Sequence, residues 1–566
     1  MALRRTLFAL AAASALASCN MGGSTAPQAP WGQFAQSTID GWLKIDPNFA
    51  VYQGAHQYDG KLADWTPAGL KARGDFLRKV ISDAGAYTAV SGKDKFERDY
   101  MVQVAKGQLF WLEVADQPHT NPAWYTGAFD PNVYLAREYA PRPQRAAALA
   151  TFLEGVPAAA AAIKGNLKGP IAEPLVIYGT SAFSGYADFY AKDVLAAFAD
   201  VQDAALQARL SAAAAKASTA MADLSTWLKG QQGDASFALG PDKFAQMLND
   251  TEAVNVPLAD LEKVGEADLK RNQDALTAAC AEFAPGASVP VCMEKMNAHK
   301  PAGNDTVAEA TRQIPMLTQF IKTKDLVTIP GTEQALVRQS PPYNAQNGAY
   351  IDPPGPLEKG IPSIYYIAAP DPSWQKEKQL AYIPGVDDLM FTSDHEVMPG
   401  HFLQFLHANR APSVFGRMFV GYAFAEGWAH YSEELMWEAG LGDGNPEVHI
   451  GQLSNALLRD CRFLSAIRLH TKGMSVDQSK QLFIDKCYQD EGTAEQQARR
   501  GAYDPAYLNY TLGKLMIRKL RADWIAKRGG RAAWKQFHDA FLDFGGPPIP
   551  LVRQAMLGEP APRAAF

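Results

Sequence analysis

The chain has 566 residues, of which 47% are hydrophobic and 20% charged; these are globular values and exclude a disordered protein. That length accommodates two or three ordinary domains or one large one. A net charge of -6 argues against nucleic acid as a partner, because phosphate backbones are bound by basic surfaces.

The first residues, MALRRTLFALAAASALASCN, read as a targeting segment. Arg4 and Arg5 form a basic n-region, residues 7–15 an apolar run too short to cross a bilayer, and Leu16-Ala17-Ser18-Cys19 has the form of a lipobox. Cleavage after Ser18 exposes Cys19 for acylation and leaves the mature chain two units more negative, since Arg4 and Arg5 are the leader's only charges. An ordinary secretory leader with an incidental Cys19 is the alternative. Either way the expectation is an exported bacterial protein of the cell envelope or periplasm-facing membrane surface, attached by lipid on Cys19. No other stretch approaches 18 consecutive apolar residues. Neither the inner nor the outer membrane is singled out by Asn20, and the oligomeric state is not set by the sequence. Composition divides the chain into a signal peptide (1–18), a Gly/Ser/Pro tether (19–34), an N-terminal helical region (35–325) and a catalytic region (326–566).

Apolar residues recur at three- and four-residue spacing over 143–166 and 187–230, which predicts long Ala-rich helices, and 258–284 predicts another. Four cysteines remain after processing: Cys280, Cys292, Cys461 and Cys487. In an oxidising compartment an even number predicts two disulfides, and pairing sequence neighbours is the simplest of three connectivities. Between 325 and 370 prolines and short β-branched or aromatic runs such as SIYYIAA predict a small sheet or hairpin. Helices are predicted again over 392–408, 420–439, 446–471, 475–488, 504–527 and 530–543. The fold class is mainly α, with one small β element before the decisive motif and two halves flanking a central cleft.

That motif is FTSDHEVMPGHFLQF, residues 391–405. Metal-binding histidines on one helix usually sit four residues apart, on one face. His395 and His401 are six apart, so an unbroken helix would hold them about 120° from each other. Pro399 cannot continue the hydrogen-bond ladder and Gly400 tolerates unusual backbone angles. The expectation is a local bulge between Val397 and His401 that returns His401 to His395. A catalytic zinc takes about three protein ligands and water. Downstream, GYAFAEGWAHYSEEL presents Glu426, His430 and Glu433 at i, i+4 and i+7 on one helix face. Glu426 is the predicted third ligand; His430 and Glu433 are predicted to support the ligands or to touch substrate. Glu396 is the predicted general base for a water acidified by one Zn2+ per chain. A donor for the oxyanion is sought in Tyr503, Tyr507 and Tyr510, spaced as a helical stripe, with Tyr510 preferred and His470 second.

DHEVMPGH followed by EGWAHYSEE resembles the bacterial domain-of-unknown-function family 885, whose members carry His-Glu-x-x-Pro-Gly-His and then Glu-Gly-Trp-Ala-x-Tyr. VYQGAHQYDGKLADW, PPGPLEKG, YTLGK and FHDAFLDFGGPPIPL extend the resemblance over about residues 40–555. Members resemble gluzincin-like zinc peptidases with a mostly helical fold. The resemblance therefore implies metal at His395, His401 and Glu426, with Glu396 catalytic. The chain departs from many members at Ala466 and Arg468, near His470. The first reading is a zinc metallopeptidase acting on short peptides, with Lys514, Arg518 or Arg468 available to grip a terminal carboxylate and the 340–370 segment to pair with an extended substrate. The alternatives are a non-catalytic peptide- or metal-binding lipoprotein and a metal hydrolase of another amide or an ester.

Overall fold

A computed structural model describes residues 29–345 and 347–558; the leader, Cys19 and most of the tether lie outside the described residues. The protein is 70% helical with one three-stranded sheet among the described residues, hence mainly α.

Among the N-terminal helices, Ala204–Lys229 packs on both Glu173–Ala191 and Arg142–Asn166. Leu149, Phe152, Leu153, Val156, Ala160 and Ile163 form the buried stripe of Arg142–Asn166, the three-and-four spacing expected of a core-facing helix. This helix is long and apolar enough to cross a membrane, with a mean hydropathy of 1.6, but its stripe is covered by its neighbours. The single helix expected over 187–230 is broken instead. Glu173–Ala191 stops at Lys192, and Ala204–Lys229 starts afresh from Asp203, whose side chain accepts from the Leu206 amide. Gln207 Nε2 donates to the carbonyls of Phe198 and Val201 and holds the break. Alanine-rich periodicity ran through it because one capping carboxylate is a weak signal beside so many helix formers.

Two buried clusters result. One gathers the helices before residue 230 and takes in Phe415 and Phe419, which stack on each other at 4.3 Å; Phe419 also packs on Trp42 at 4.8 Å. The other takes in Phe110 and Ala115, runs from Phe244 to Val552 and surrounds the site. Its centre is the helix Pro446–Thr471, buried nearly all round, from Val448 to His470. Cys461 on this helix is bonded to Cys487, and Cys280 to Cys292. The sheet has the order β1 (Ala335–Gln339), β3 (Ser363–Ile367), β2 (Ala349–Asp352). It is mixed rather than a hairpin: β3 is parallel to β1 and antiparallel to β2, with Tyr365 opposite both Val337 and Ile351.

Helix Tyr422–Glu438 crosses helix Asn509–Ile525 at Gly427 and Gly513. A Cβ on Gly513 would lie 2.0 Å from the Ala423 carbonyl oxygen and 2.6 Å from Gly427 Cα. Backbone meets backbone, so only glycine fits, and the crossing brings Glu426 toward Tyr510, three residues before Gly513. On an open helix, as at Gly165 where an added Cβ meets nothing within 4 Å, Gly→Ala gains roughly 1 kcal/mol. Gly513→Ala is expected to lose about 1–3 kcal/mol instead. Denaturant unfolding of both variants beside the wild type checks the opposite signs.

Candidate metal centre

The helix Val386–Glu396 ends one residue after His395, and a new helix, His401–Ala408, begins at His401. The break is complete, not the local bulge expected within one helix. Pro399 lacks the amide that would continue the ladder. A Cβ on Gly400 would sit 1.8 Å from the His395 carbonyl oxygen, so the second helix can start this close to the first only at glycine. The Gly400 amide donates to the Asp394 carbonyl at 3.0 Å, and the Gln404 amide donates to the Gly400 carbonyl. Helix Tyr422–Glu438 clamps the break: Trp428 Nε1 donates to the Pro399 carbonyl at 2.8 Å, and the Ser432 hydroxyl to Asp394 Oδ1 at 2.8 Å.

The two imidazoles consequently face each other edge to face, with centroids 4.8 Å apart. Both Nε2 atoms point at one carboxylate oxygen, Glu426 Oε2, at 3.3 Å from His395 and 3.1 Å from His401. The three donor groups lie within 4.8 Å of one another, a set of two imidazoles and a carboxylate that suits a borderline divalent ion such as zinc. Behind His395, Glu433 Oε1 takes the Nδ1 hydrogen at 2.7 Å, the arrangement that fixes which nitrogen faces a metal. Arg459 and His430 flank Glu433 in turn, at 3.2 and 3.3 Å.

Electrostatics follow from this packing. Burial would raise Glu426, but His401 and His395 outweigh it and hold the carboxyl well below its usual range. Burial and Arg459 press His395 down, yet Glu426 and Glu433 lift it to about 9. A proton therefore occupies the place of positive charge between these donors, and a cation competes for that place. Burial pulls His430 down to about 3, so it is a neutral ring. Glu396, the neighbour of His395, is buried with Oε2 lacking a hydrogen-bond partner, and burial raises its pKa.

His395, Glu396 and Tyr510 line a cavity of about 780 Å³, within the size range of small-ligand sites. Tyr510 lies nearly parallel to His395 at 5.9 Å, and Arg500 donates to its hydroxyl at 3.4 Å. Burial keeps that phenol protonated, hence a donor. Gly348 and Ala349, at the start of β2, form part of the rim.

Other candidates are placed elsewhere. His470 is not brought to the cavity: its Nε2 donates to the Gly501 carbonyl and its Nδ1 accepts from the Leu239 amide, which leaves no proton for an oxyanion. His430 lies fully buried behind Glu433 and does not line the cavity. Tyr503 stacks on Tyr178 at 4.1 Å, and Tyr507 is buried core. Lys514 is fully buried and paired with Asp268 at 2.5 Å, Arg518 meets Glu434, and Arg468 pairs with Glu262 and Glu266; none of the three lines the cavity. Three arginines that do, Arg459, Arg462 and Arg500, are absent from the sequence reading. A signal was present: Arg459 and Arg462 stand at i and i+3 in LLRDCRFL, where together with Asp460 they interrupt a run of apolar residues.

Comparison with known proteins bears on fold and family. The family profile described as "Bacterial protein of unknown function (DUF885)" matches residues 47–556. A solved structure of a candidate lipoprotein of unknown function from Shewanella oneidensis is 24% identical, covers 94% of this chain and 100% of its own, and superposes with a TM-score of 0.75. A candidate lipoprotein from Colwellia psychrerythraea is 16% identical, with coverages of 93% and 98% and a TM-score of 0.76. At these identities the likeness shows the fold alone. No curated protein matches.

Glu433→Gln keeps the shape of the side chain that orients His395 but removes its charge. The variant is expected to bind zinc roughly 10–100-fold more weakly, read by competition against a chelator of known affinity.

Proposed function

The chain belongs to the DUF885 family, and from that premise we propose that it is a zinc-dependent hydrolase of the cell envelope, a peptidase that cleaves short peptides. The observation that carries the reading is the convergence of His395 Nε2, His401 Nε2 and Glu426 Oε2 beside the unpartnered Glu396 Oε2. A purely structural metal needs no free carboxylate next to its ligands, whereas hydrolysis needs a base there. Held by these three donors, zinc supplies a Lewis acid that polarises a carbonyl and lowers the pKa of water toward neutrality.

The chain's own groups do the rest. Glu396 takes the proton of the attacking water, which adds to the peptide carbonyl carbon, and returns it to the leaving amine as the C–N bond breaks. Tyr510 donates its hydroxyl hydrogen to the oxygen that gains charge. Arg500, at 3.4 Å from that hydroxyl, orients it. An extended backbone laid along the free edge of β2 at Gly348 and Ala349 is the favoured pose, because that edge has no strand partner among the described residues. The lipobox at Cys19 and the description of both structural relatives as candidate lipoproteins support export and anchoring by lipid.

The mature chain is expected to hold about one equivalent of zinc, as is Glu396→Gln, while His395→Ala/His401→Ala holds none by elemental analysis. Peptide hydrolysis is expected to fall about 10²–10⁴-fold in Glu396→Gln. Unchanged turnover in Glu396→Gln, or no zinc in the wild type after reconstitution, refutes the reading.

A further inference from the structure

Of the three arginines that line the cavity, two are already engaged. Arg459 meets Glu433 at 3.2 Å and donates to Asn455, and Arg500 pairs with Asp504 at 3.0 Å and donates to the Tyr422 hydroxyl at 2.8 Å. Arg462 has no carboxylate partner among the described residues. Its Nε donates to Gln497 Oε1 at 2.7 Å and its guanidinium lies over the Tyr510 ring at 4.5 Å. Neither Nη atom hydrogen-bonds to any of the described residues, although the residue is only 7% exposed. Its charged neighbours Arg459 and Arg500 carry the same sign.

A guanidinium cannot shed its charge by deprotonation, and a buried charge without a counter-charge is costly. The missing anion therefore belongs to something that enters the cavity. The two free Nη groups form a planar fork that matches a carboxylate in bidentate fashion. Gln497 from one side and Tyr510 from the other fix the plane of that fork, so little freedom is lost on binding. Two ring contacts, of 4.5 and 5.9 Å, connect Arg462 through Tyr510 to His395. Up to three peptide residues, at roughly 3.5 Å each, span a path of that length.

We propose that Arg462 anchors the C-terminal carboxylate of the substrate, so that the enzyme releases one to three residues from the carboxyl end of short peptides. This rests on the hydrolase reading above and specifies its substrate: water adds to the acyl carbon, the C–N bond breaks, and the proton passes to the amine of the released C-terminal fragment. Endoproteolysis of long chains is not favoured, because an internal segment presents no carboxylate at that position. A side-chain carboxylate shares the chemistry and is separated by the test.

The zinc-loaded mature chain is assayed on N-acetylated tri- and tetrapeptides in three forms: free acid, C-terminal amide, and amide with Glu in the last position. The wild type is expected to prefer the acid by about 30-fold or more in kcat/KM. In Arg462→Gln the preference collapses, chiefly through a higher KM for the acid, and Arg462→Lys restores part of it. Equal cleavage of acid and amide by the wild type overturns the anchor while the hydrolase reading stands, and so does preferential cleavage of the Glu-ended amide. Calorimetry with zinc-loaded Glu396→Gln distinguishes the remaining cases. Tighter binding of the acid without turnover by the wild type keeps the anchor and sinks the hydrolase; equal binding of acid and amide overturns the anchor whatever the turnover. The wild-type comparison of acid with amide does not depend on Arg462→Gln folding.

Discussion

Two imidazole nitrogens share one half-buried carboxylate oxygen, and most of the surrounding architecture serves to keep them there. Ionised groups out of water are tolerable only when each is met by an opposite charge or a hydrogen bond. Glu426 is met by His395 and His401, His395 by Glu433, and Glu433 by Arg459 and His430. Each partner lies on a different stretch of chain from the group it satisfies, apart from His430 and Glu433. The helices His401–Ala408, Tyr422–Glu438 and Pro446–Thr471 are thus committed to one mutual arrangement by the polar groups they bury. Hydrophobic burial supplies the stability, but it is non-directional and does not choose this register.

Helix Tyr422–Glu438 carries this burden on two faces. Glu433 turns toward His395 in the candidate metal centre, while Glu434 turns toward Arg271 and Arg518, beside the buried pair of Lys514 and Asp268. The second cluster is a closed network with no cavity-lining member. A paired charge in a closed network holds structure, whereas a buried charge with free hydrogen-bonding groups facing a cavity awaits a ligand. The same distinction separates Lys514 from Arg462, though both are buried cations on helices of one core.

Close approach is the other constraint. Gly400 permits one helix to start against the end of another, and Gly427 and Gly513 let two helices cross with their backbones in contact. Both devices sit beside functional groups: Gly400 next to His401, and the crossing next to Glu426 and three residues from Tyr510. One end of the sheet (Gln339, Ala349 and Ile367) lines the cavity, while β3 is buried in the core and β2 is an edge.

Local chemistry alone determined much of this protein. Pro399-Gly400 between two histidines demanded an interrupted helix, because proline lacks an amide wherever it stands. Periodicity located the helices over 420–439, 446–471 and 475–488 to within two residues of Tyr422–Glu438, Pro446–Thr471 and Val476–Cys487. The motif also singled out His395, His401 and Glu426, three residues that the fold brings together, before any contact was known. Short-range rules failed where the deciding partner was remote or slight. The break before Asp203 rests on one cap and one glutamine, and helices such as Trp31–Ile45, Gly92–Leu109 and Glu491–Tyr503 were not singled out. Which ionisable groups face the cavity was a tertiary decision altogether. His470 and Arg462 lie eight residues apart on the same helix, yet the first is closed off by the Gly501 carbonyl and the Leu239 amide and the second faces open space beside Tyr510. A residue's type is written in the sequence; whether its charge is answered from within the chain depends on which distant segments pack against it.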